Sequence, residues 1–149
     1  MSEMREQVLP TLEAGGVDLV LGGHSHTYER TYMIGGHYGL STTFQPQMIL
    51  DGGDGDPNGD GAYQQHAGGD AGTVYVVAGS SGSGYKPKAH HPAMFRSSGE
   101  MGAVALDFDA KQLQVTFIGR KGDTLDVFRL VREPDVGSAT PPEVPNAPK

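Results

Sequence analysis

The chain has 149 residues without cysteine, and its 36% hydrophobic residues are accompanied by 23 glycines and 10 prolines. This length fits one domain with a modest core and many loops, and the lack of cysteine excludes disulfides and thiolate metal sites. The formal net charge of -7 argues against a nucleic-acid partner, no apolar run approaches the ~20 residues of a membrane span, and the compartment stays open.

The chain begins with a predicted helix and a predicted strand. Ser2–Ala14 carries apolar residues at every fourth position and ends at two glycines, although Pro10 falls inside it. Residues 17–21 are apolar at nearly every position, which is typical of a strand that is covered on both faces and has strands on both sides. A helix leading into such a strand is half of a βαβ unit, so we expect a further strand before residue 1.

Two histidines follow this predicted strand. In an extended segment alternate side chains point to the same side, so His24 and His26 would face one cavity at the carboxyl end of the strand. Their attachment points would be about 6.5 Å apart, which suits two imidazoles that bind two metal ions about 3.5–4 Å apart. Gly22 and Gly23 would allow a sharp turn with positive φ and leave room near the backbone. The alternative is a loop with two solvated histidines.

Residues 23–30 read Gly-His-Ser-His-Thr-Tyr-Glu-Arg and match the pattern Gly-His-x-His-x-Tyr-Glu-Arg at every position. This block resembles the last metal-binding block of the calcineurin-like metallophosphoesterases, and most of all their purple acid phosphatase branch. Weaker similarity extends the resemblance to about residues 3–131, which correspond to the carboxyl-terminal half of the family's domain. The implied fold class is α/β (α+β mixed): half of a metallophosphoesterase-type β-sandwich flanked by helices, with a C-terminal antiparallel meander.

The resemblance implies a metal-dependent phosphoric ester hydrolase, similar to acid phosphatases, with a dinuclear centre of Fe, Mn or Zn. His24 and His26 would each bind one ion, and Glu29 and Arg30 would orient the histidine loop from outside the ligand set. No histidine here has an aspartate two places before it, and no asparagine precedes a histidine, so the family's other ligand blocks are absent. We therefore expect a truncated chain with little activity alone, whose partner is the missing amino-terminal half. An upstream secretion signal would have been lost with that half.

An acidic, glycine-rich loop suggests a second metal. Its polar residues at alternate positions fit the opening of a calcium loop, although Pro57 intrudes and Gln65 stands where a bidentate Glu is expected. The candidate ligands are Asp54, Asp56, Asn58 and Asp60. The alternative is a solvated acidic loop at the rim of the site. This loop supports a rival function, a non-catalytic or degenerate metal-binding interaction module, possibly stabilised by calcium.

Four histidines lie outside the matched block, and three of them have an interpretation. His90 and His91 fall in the only locally basic stretch, where one of them could donate a proton or contact a phosphate-ester substrate. The alternative for both is a solvated loop. We interpret His37 as a surface or rim histidine. The loop at 79–84 fits neither a nucleophile elbow nor a P-loop, so we expect it to pack closely beside the metal loop.

The last third of the chain alternates apolar and polar residues over 103–109, 113–118 and 125–131, with short polar turns between them. This pattern predicts an antiparallel meander. Another strand is predicted over 73–78, where β-branched residues dominate. We therefore expect one half-domain over 1–131 and a disordered, Pro-rich tail over 132–149.

Overall fold

The computed structural model of the chain describes residues 2–66, 72–87 and 91–132, with side chains from residue 5 onward. In chain order, the elements are α1 (Ser2–Ala14), β1 (Leu19–Gly22), β2 (Tyr28–Thr31), β3 (Met33–Ile34), β4 (Ile49–Asp51), β5 (Tyr63–Gln65), β6 (Val74–Ala78), β7 (Met94–Ser98), β8 (Gly102–Phe108), β9 (Gln112–Gly119) and β10 (Thr124–Arg132). Two short 3-10 helices, Ser41–Thr43 and Pro46–Met48, precede β4.

Two four-stranded mixed sheets pack face to face. The first sheet has the order β1-β6-β2-β7, with β1 parallel to β6 and the other pairs antiparallel. The second has the order β5-β10-β9-β8, in which β5 is parallel to β10 and the last three strands form the predicted meander. A small pair, β3 and β4, completes the described sheets.

The sequence predictions for the fold are confirmed in part. The helix Ser2–Ala14, the meander and the strand at 73–78 are present. The described residues are mostly sheet, with parallel and antiparallel pairs, which confirms the predicted β-sandwich in part. The described residues contain a single α-helix, so flanking by helices is weaker than expected. The expectation of strands on both sides of β1 is wrong for this part of the chain, because β1 is an edge strand that pairs only with β6. Arg132, predicted to begin the tail, is the last residue of β10, and residues 133–149 lie outside the described residues.

The helix α1 is attached to the outer face of the first sheet through one carboxylate. Tyr75 projects outward from β6 because its neighbours Val74 and Val76 are buried in the core. Its hydroxyl donates to Glu13 Oε1 at 2.5 Å, and the Tyr38 hydroxyl donates to Glu13 Oε2 at 2.7 Å.

The helical part of the described chain contains no segment with the length and apolar character that crossing a membrane requires.

A buried ion pair joins the two sheets. Tyr28 and Arg30 are two residues apart on β2, so both point into the interior. Asp126 Oδ2 accepts hydrogen bonds from the Tyr28 hydroxyl and from Arg30 Nε, both at 2.7 Å, and Asp126 Oδ1 accepts one from Arg30 Nη2 at 3.0 Å. Arg30 Nη1 donates to the Tyr63 hydroxyl at 3.1 Å. Each of the three guanidinium nitrogens therefore donates a hydrogen bond.

Aromatic rings surround this ion pair. The Tyr28 ring stacks on Phe117 with 4.0 Å between ring centroids, and Arg30 Cζ lies 4.3 Å from the centroid of Phe95. Burial alone would lower the pKa of Arg30, but the hydrogen bonds and charge of Asp126 outweigh it and raise the pKa above its ordinary value. Burial, together with the charge of Asp126, also raises the pKa of Tyr28, which keeps the hydroxyl protonated as a donor.

We expect Asp126→Ala to lower the free energy of unfolding by about 3–5 kcal/mol, because it leaves the Arg30 guanidinium buried without its counter-charge. The control is Asp107→Ala on β8, whose exposed side chain should change the stability by no more than about 0.5 kcal/mol. Urea unfolding followed by circular dichroism measures both variants. A loss below about 1 kcal/mol for Asp126→Ala would contradict the structural role of the ion pair.

Candidate metal-binding loop

The loop that carries the two candidate ligands connects β1 to β2. Because β1 and β6 are parallel, their carboxyl ends meet at one edge of the first sheet, and His24 and His26 follow β1 at that edge. Both imidazoles are exposed. The fold therefore presents the pair at the surface, and does not pack either ring into the core.

His24 has an unusual backbone conformation. Its φ is +73°, and the Ser25 N–H donates to the Gly23 carbonyl at 3.0 Å, which is a γ-turn of the rarer, positive-φ form. The prediction that Gly22 and Gly23 supply the positive φ is wrong, since neither has it and a β-carbon on Gly23 would meet nothing within 4 Å. A strained conformation on a non-glycine residue persists only where its surroundings hold it, and it is common at functional sites.

The surroundings that hold the loop come from the segment after β6. The Gly79 N–H donates to the Thr27 carbonyl at 3.1 Å, and the Tyr85 N–H donates to the His26 carbonyl at 3.1 Å. A β-carbon on Gly79 would lie 1.9 Å from the Ser25 carbonyl oxygen, so only glycine fits there. The expectation that 79–84 packs closely beside the histidine loop is confirmed.

Side chains add a second set of contacts to this loop. The Ser25 Oγ and Tyr85 hydroxyl are hydrogen-bonded at 3.0 Å, and Thr27 Oγ1 donates to Ser25 Oγ at 3.1 Å. The His26 and Tyr85 rings are tilted against each other with 5.9 Å between centroids. Tyr85 thus limits the positions that the His26 ring can take.

The donor set at this loop is partial. Within residues 2–66, 72–87 and 91–132, no group of three or more His, Asp or Glu side chains is placed to hold a metal ion. Residues 24–26 do not have the extended conformation expected from the sequence, because His24 has a φ of +73°, so strand alternation does not place the two imidazoles on one side. A hydrolytic centre with hard cations also needs carboxylates. His24 and His26 therefore remain predicted ligands that require further donors.

Glu29 and Arg30 occupy different environments. Glu29 is half-buried on β2 between Val77 of β6 and Ser97 of β7. Arg30 is fully buried, and its contacts are with Asp126 and the rings around it. Its direct effect is to fasten the strand that leaves the histidine loop. Orientation of the histidines by these two residues stays a prediction.

The acidic loop binds its own backbone. The Asp54 carboxylate accepts the Asp56 N–H at 2.8 Å, the Asp56 carboxylate accepts the Asn58 N–H at 2.8 Å, and both Asp60 oxygens accept the Asp54 N–H, at 2.9 and 3.1 Å. The hydrogen bond between the Asp54 and Asp60 carboxyls raises the pKa of Asp60 and lowers that of Asp54. Gln65, at the expected closing position, is buried and donates to the Gly72 carbonyl at 2.7 Å. The structure gives the calcium prediction no support.

Two histidines form a separate aromatic cluster. His37 lies 5.2 Å from His91 and 5.1 Å from Phe44 between ring centroids. The interpretation of His37 as a surface residue is wrong, since only 6% of it is exposed, and neither of its ring nitrogens has a hydrogen-bond partner among the described residues. The Ala93 N–H donates to His91 Nδ1 at 3.1 Å. His90 lies outside the described residues, and a proton-donor role for either histidine stays a prediction.

Asp126 is the residue that sequence reasoning missed. The signal was present, because Asp126, Phe128 and Leu130 occupy alternate positions of β10 and all three are buried. A carboxylate on the inward face of an otherwise apolar strand indicates a buried partner of opposite charge. In the matched block, Arg30 is that partner.

Comparisons with known proteins support the fold. No protein-family model matches the chain, and no curated protein matches it. Among solved structures, it is similar to a purple acid phosphatase from yellow lupin (Lupinus luteus) seeds, with 18% identity and a TM-score of 0.60 over 88% of this chain. The chain spans 20% of the length of that solved chain. At this identity the similarity shows only that the fold is like the matched part of that solved structure, and the activity is a matter for proposal.

The γ-turn predicts opposite effects of glycine and alanine at the two histidines. His24→Gly should be about 1 kcal/mol more stable than His24→Ala, because both lack the imidazole and only alanine resists the left-handed φ. The matched control is His26→Gly against His26→Ala, where φ is not positive and alanine should be the more stable. Denaturant unfolding of the four variants gives the comparison. The same order of stability for glycine and alanine at both positions would contradict the γ-turn.

The buried His37 predicts a loss of stability in acid. Burial, with a smaller effect of the Arg5 charge, lowers the pKa of His37, while Glu13 opposes the shift. The unfolded chain therefore binds a proton before the folded chain does, so stability is full above the ordinary pKa of 6.5 and falls as the pH drops toward the folded pKa. His37→Leu should lose less stability than the parent chain between pH 7.5 and 5.5, as measured by urea unfolding. Equal losses would show that His37 is not the group responsible.

Proposed function

We propose that the chain supplies one wall of the active site in a metal-dependent phosphoric ester hydrolase, similar to acid phosphatases. The observation that carries this proposal is the pair of exposed histidines at the carboxyl edge of parallel strands, one of them in a strained turn, within a fold similar to that of a purple acid phosphatase. His24 and His26 would each bind one ion of a two-metal centre. When bound, such ions would supply the positive charge that stabilises a phosphoryl group under attack by water.

The contribution of this chain's own residues is to hold the two imidazoles in place. The backbone hydrogen bonds from Gly79 and Tyr85 hold the carbonyls of Thr27 and His26, at the end of the loop that leads into β2. The Asp126–Arg30 ion pair fixes β2, where the loop ends. A loop held in this way loses little conformational freedom when it binds a metal, which favours binding. The centre would also need carboxylate donors, which the described residues do not place beside the two histidines.

Zinc titration calorimetry on the chain tests the proposal, with a readout that does not require turnover. His24→Ala and His26→Ala should each weaken zinc binding by about tenfold or more. Loss of a group that only hydrogen-bonds to a ligating histidine already lowers metal affinity about 10–100-fold, and loss of the ligand itself should cost at least as much. His66→Ala, which removes another exposed histidine, is the control and should leave the affinity unchanged. Equal affinity in the parent chain and both loop variants would refute the proposal.

A phosphomonoester assay and a calcium titration separate the two functions that the sequence suggested. With added manganese, iron or zinc, hydrolysis should be slow in this chain and should disappear in the His24→Ala, His26→Ala double variant. Calcium should leave the melting temperature unchanged, because the described residues contain no group of three or more acidic side chains placed to hold a cation. A large rise in melting temperature with calcium and no metal-dependent hydrolysis would favour the interaction module.

A further inference from the structure

Tyr85 is an exposed aromatic residue beside the histidine loop. Its side chain is 46% exposed, and its ring lies 5.9 Å from the His26 ring between centroids. Its backbone N–H donates to the His26 carbonyl at 3.1 Å. A β-carbon on Gly99 would lie 2.7 Å from the Tyr85 carbonyl carbon, so the backbone at Tyr85 packs directly against the connection between β7 and β8. Tyr85 is therefore held beside His26 from two sides, while its ring stays exposed.

Three hydroxyl groups form a hydrogen-bonded chain that ends at Tyr85. Thr27 Oγ1 donates to Ser25 Oγ at 3.1 Å, and Ser25 Oγ lies 3.0 Å from the Tyr85 hydroxyl. Thr27 is 1% exposed, so the chain of hydroxyls leads from the interior to the surface. Within the part of the protein that the structure describes, the Ser25 and Tyr85 hydroxyls make no other hydrogen bonds.

The donors in this chain can be counted, because each hydroxyl group carries one proton. Thr27 gives its proton to Ser25. When Ser25 gives its own proton to Tyr85, each of these two groups donates once, and the two hydrogen bonds strengthen each other. In the opposite direction the Ser25 proton has no acceptor among the described residues, and Ser25 is less exposed than Tyr85. The first arrangement is therefore favoured, and it directs the phenolic proton of Tyr85 to solvent beside His26.

An exposed O–H donor at this position suits an anionic oxygen. Hydrogen bonds to ionised acceptors are shorter and about twice as strong as those between neutral groups. Lys86, the next residue, is exposed and adds local positive charge to a protein with a formal net charge of -7. Tyrosine hydroxyls are among the donors that stabilise negative charge on substrate oxygens in enzymes. The phosphoryl oxygens of a phosphate ester carry such charge.

We infer that the Tyr85 hydroxyl donates a hydrogen bond to a phosphoryl oxygen of the substrate, so that Tyr85 is a substrate-binding residue beside the histidine loop. The inference rests on the proposed function, because the phosphoryl group has to be held next to His26. It also gives Ser25 a role. Ser25 accepts from Thr27 and donates to Tyr85, which keeps the phenolic proton available for the substrate.

Tyr85→Phe tests the inference, because it removes only the phenolic hydroxyl and keeps the ring and the backbone N–H that hold the loop. Zinc affinity, measured by titration calorimetry, should be unchanged. Inorganic phosphate should bind to the zinc-loaded variant about tenfold or more weakly than to the zinc-loaded parent chain. The control is Tyr32→Phe, which removes a phenolic hydroxyl at the opposite end of β2 from the histidine loop and should leave both affinities unchanged.

Crystals of the parent chain soaked in zinc and phosphate give a second readout, which does not depend on affinity. The Tyr85 hydroxyl oxygen should lie about 2.5–3.0 Å from an oxygen of the bound phosphate.

Four results would overturn the inference and leave the hydrolase standing. They are the lack of phosphate binding by the zinc-loaded parent chain, equal phosphate affinity in Tyr85→Phe and the parent chain, equal losses of zinc and phosphate affinity in Tyr85→Phe, and phosphate bound beyond hydrogen-bond distance of Tyr85. Equal losses would show that the hydroxyl only positions the loop. Failure of the proposed function gives a different result, since a parent chain without zinc at His24 and His26 would refute the hydrolase and this inference together.

Discussion

The buried ion pair between Arg30 and Asp126 is the interaction on which the rest of the structure depends. It places two charged groups in the core between the sheets, where an unpaired charge would be costly, and it satisfies them with hydrogen bonds to each other and to Tyr28 and Tyr63. The ion pair fixes the distance and register between β2 and β10, which are 96 residues apart in the chain. Because β2 begins where the histidine loop ends, this constraint also anchors one end of the candidate site.

The matched block, residues 23–30, therefore contributes both to the candidate site and to the core. His24 and His26 face outward on a loop, whereas Tyr28 and Arg30 face inward on the strand that follows. The loop itself is held from the other side by the Gly79 and Tyr85 amides, and it keeps His24 in a conformation that a non-glycine residue adopts only at a cost. The same eight residues thus join the candidate chemistry to the core, which explains physically why the pattern includes an arginine and a tyrosine after its histidines.

Local patterns in the sequence predicted the elements well, and long-range pairing poorly. Apolar periodicity gave α1 and the meander, because these depend on neighbours in the chain. The partner of Arg30, the burial of His37 beside His91 and the edge position of β1 depend on contacts between distant segments, which one sequence does not reveal. The acidic loop allows two interpretations for a related reason. Its alternating carboxylates resemble a calcium loop, but the same spacing lets Asp54 and Asp56 cap the backbone amides two residues ahead.

We propose above all that His24 and His26 are the metal-binding residues of this chain. The most direct measurement is an anomalous-difference map from crystals of the protein soaked in a zinc salt. We expect density at the histidine loop, with imidazole nitrogens of both residues about 2.0–2.1 Å from zinc ions. Zinc bound at His37 and His91 or at the acidic loop, with none at His24 and His26, would contradict it.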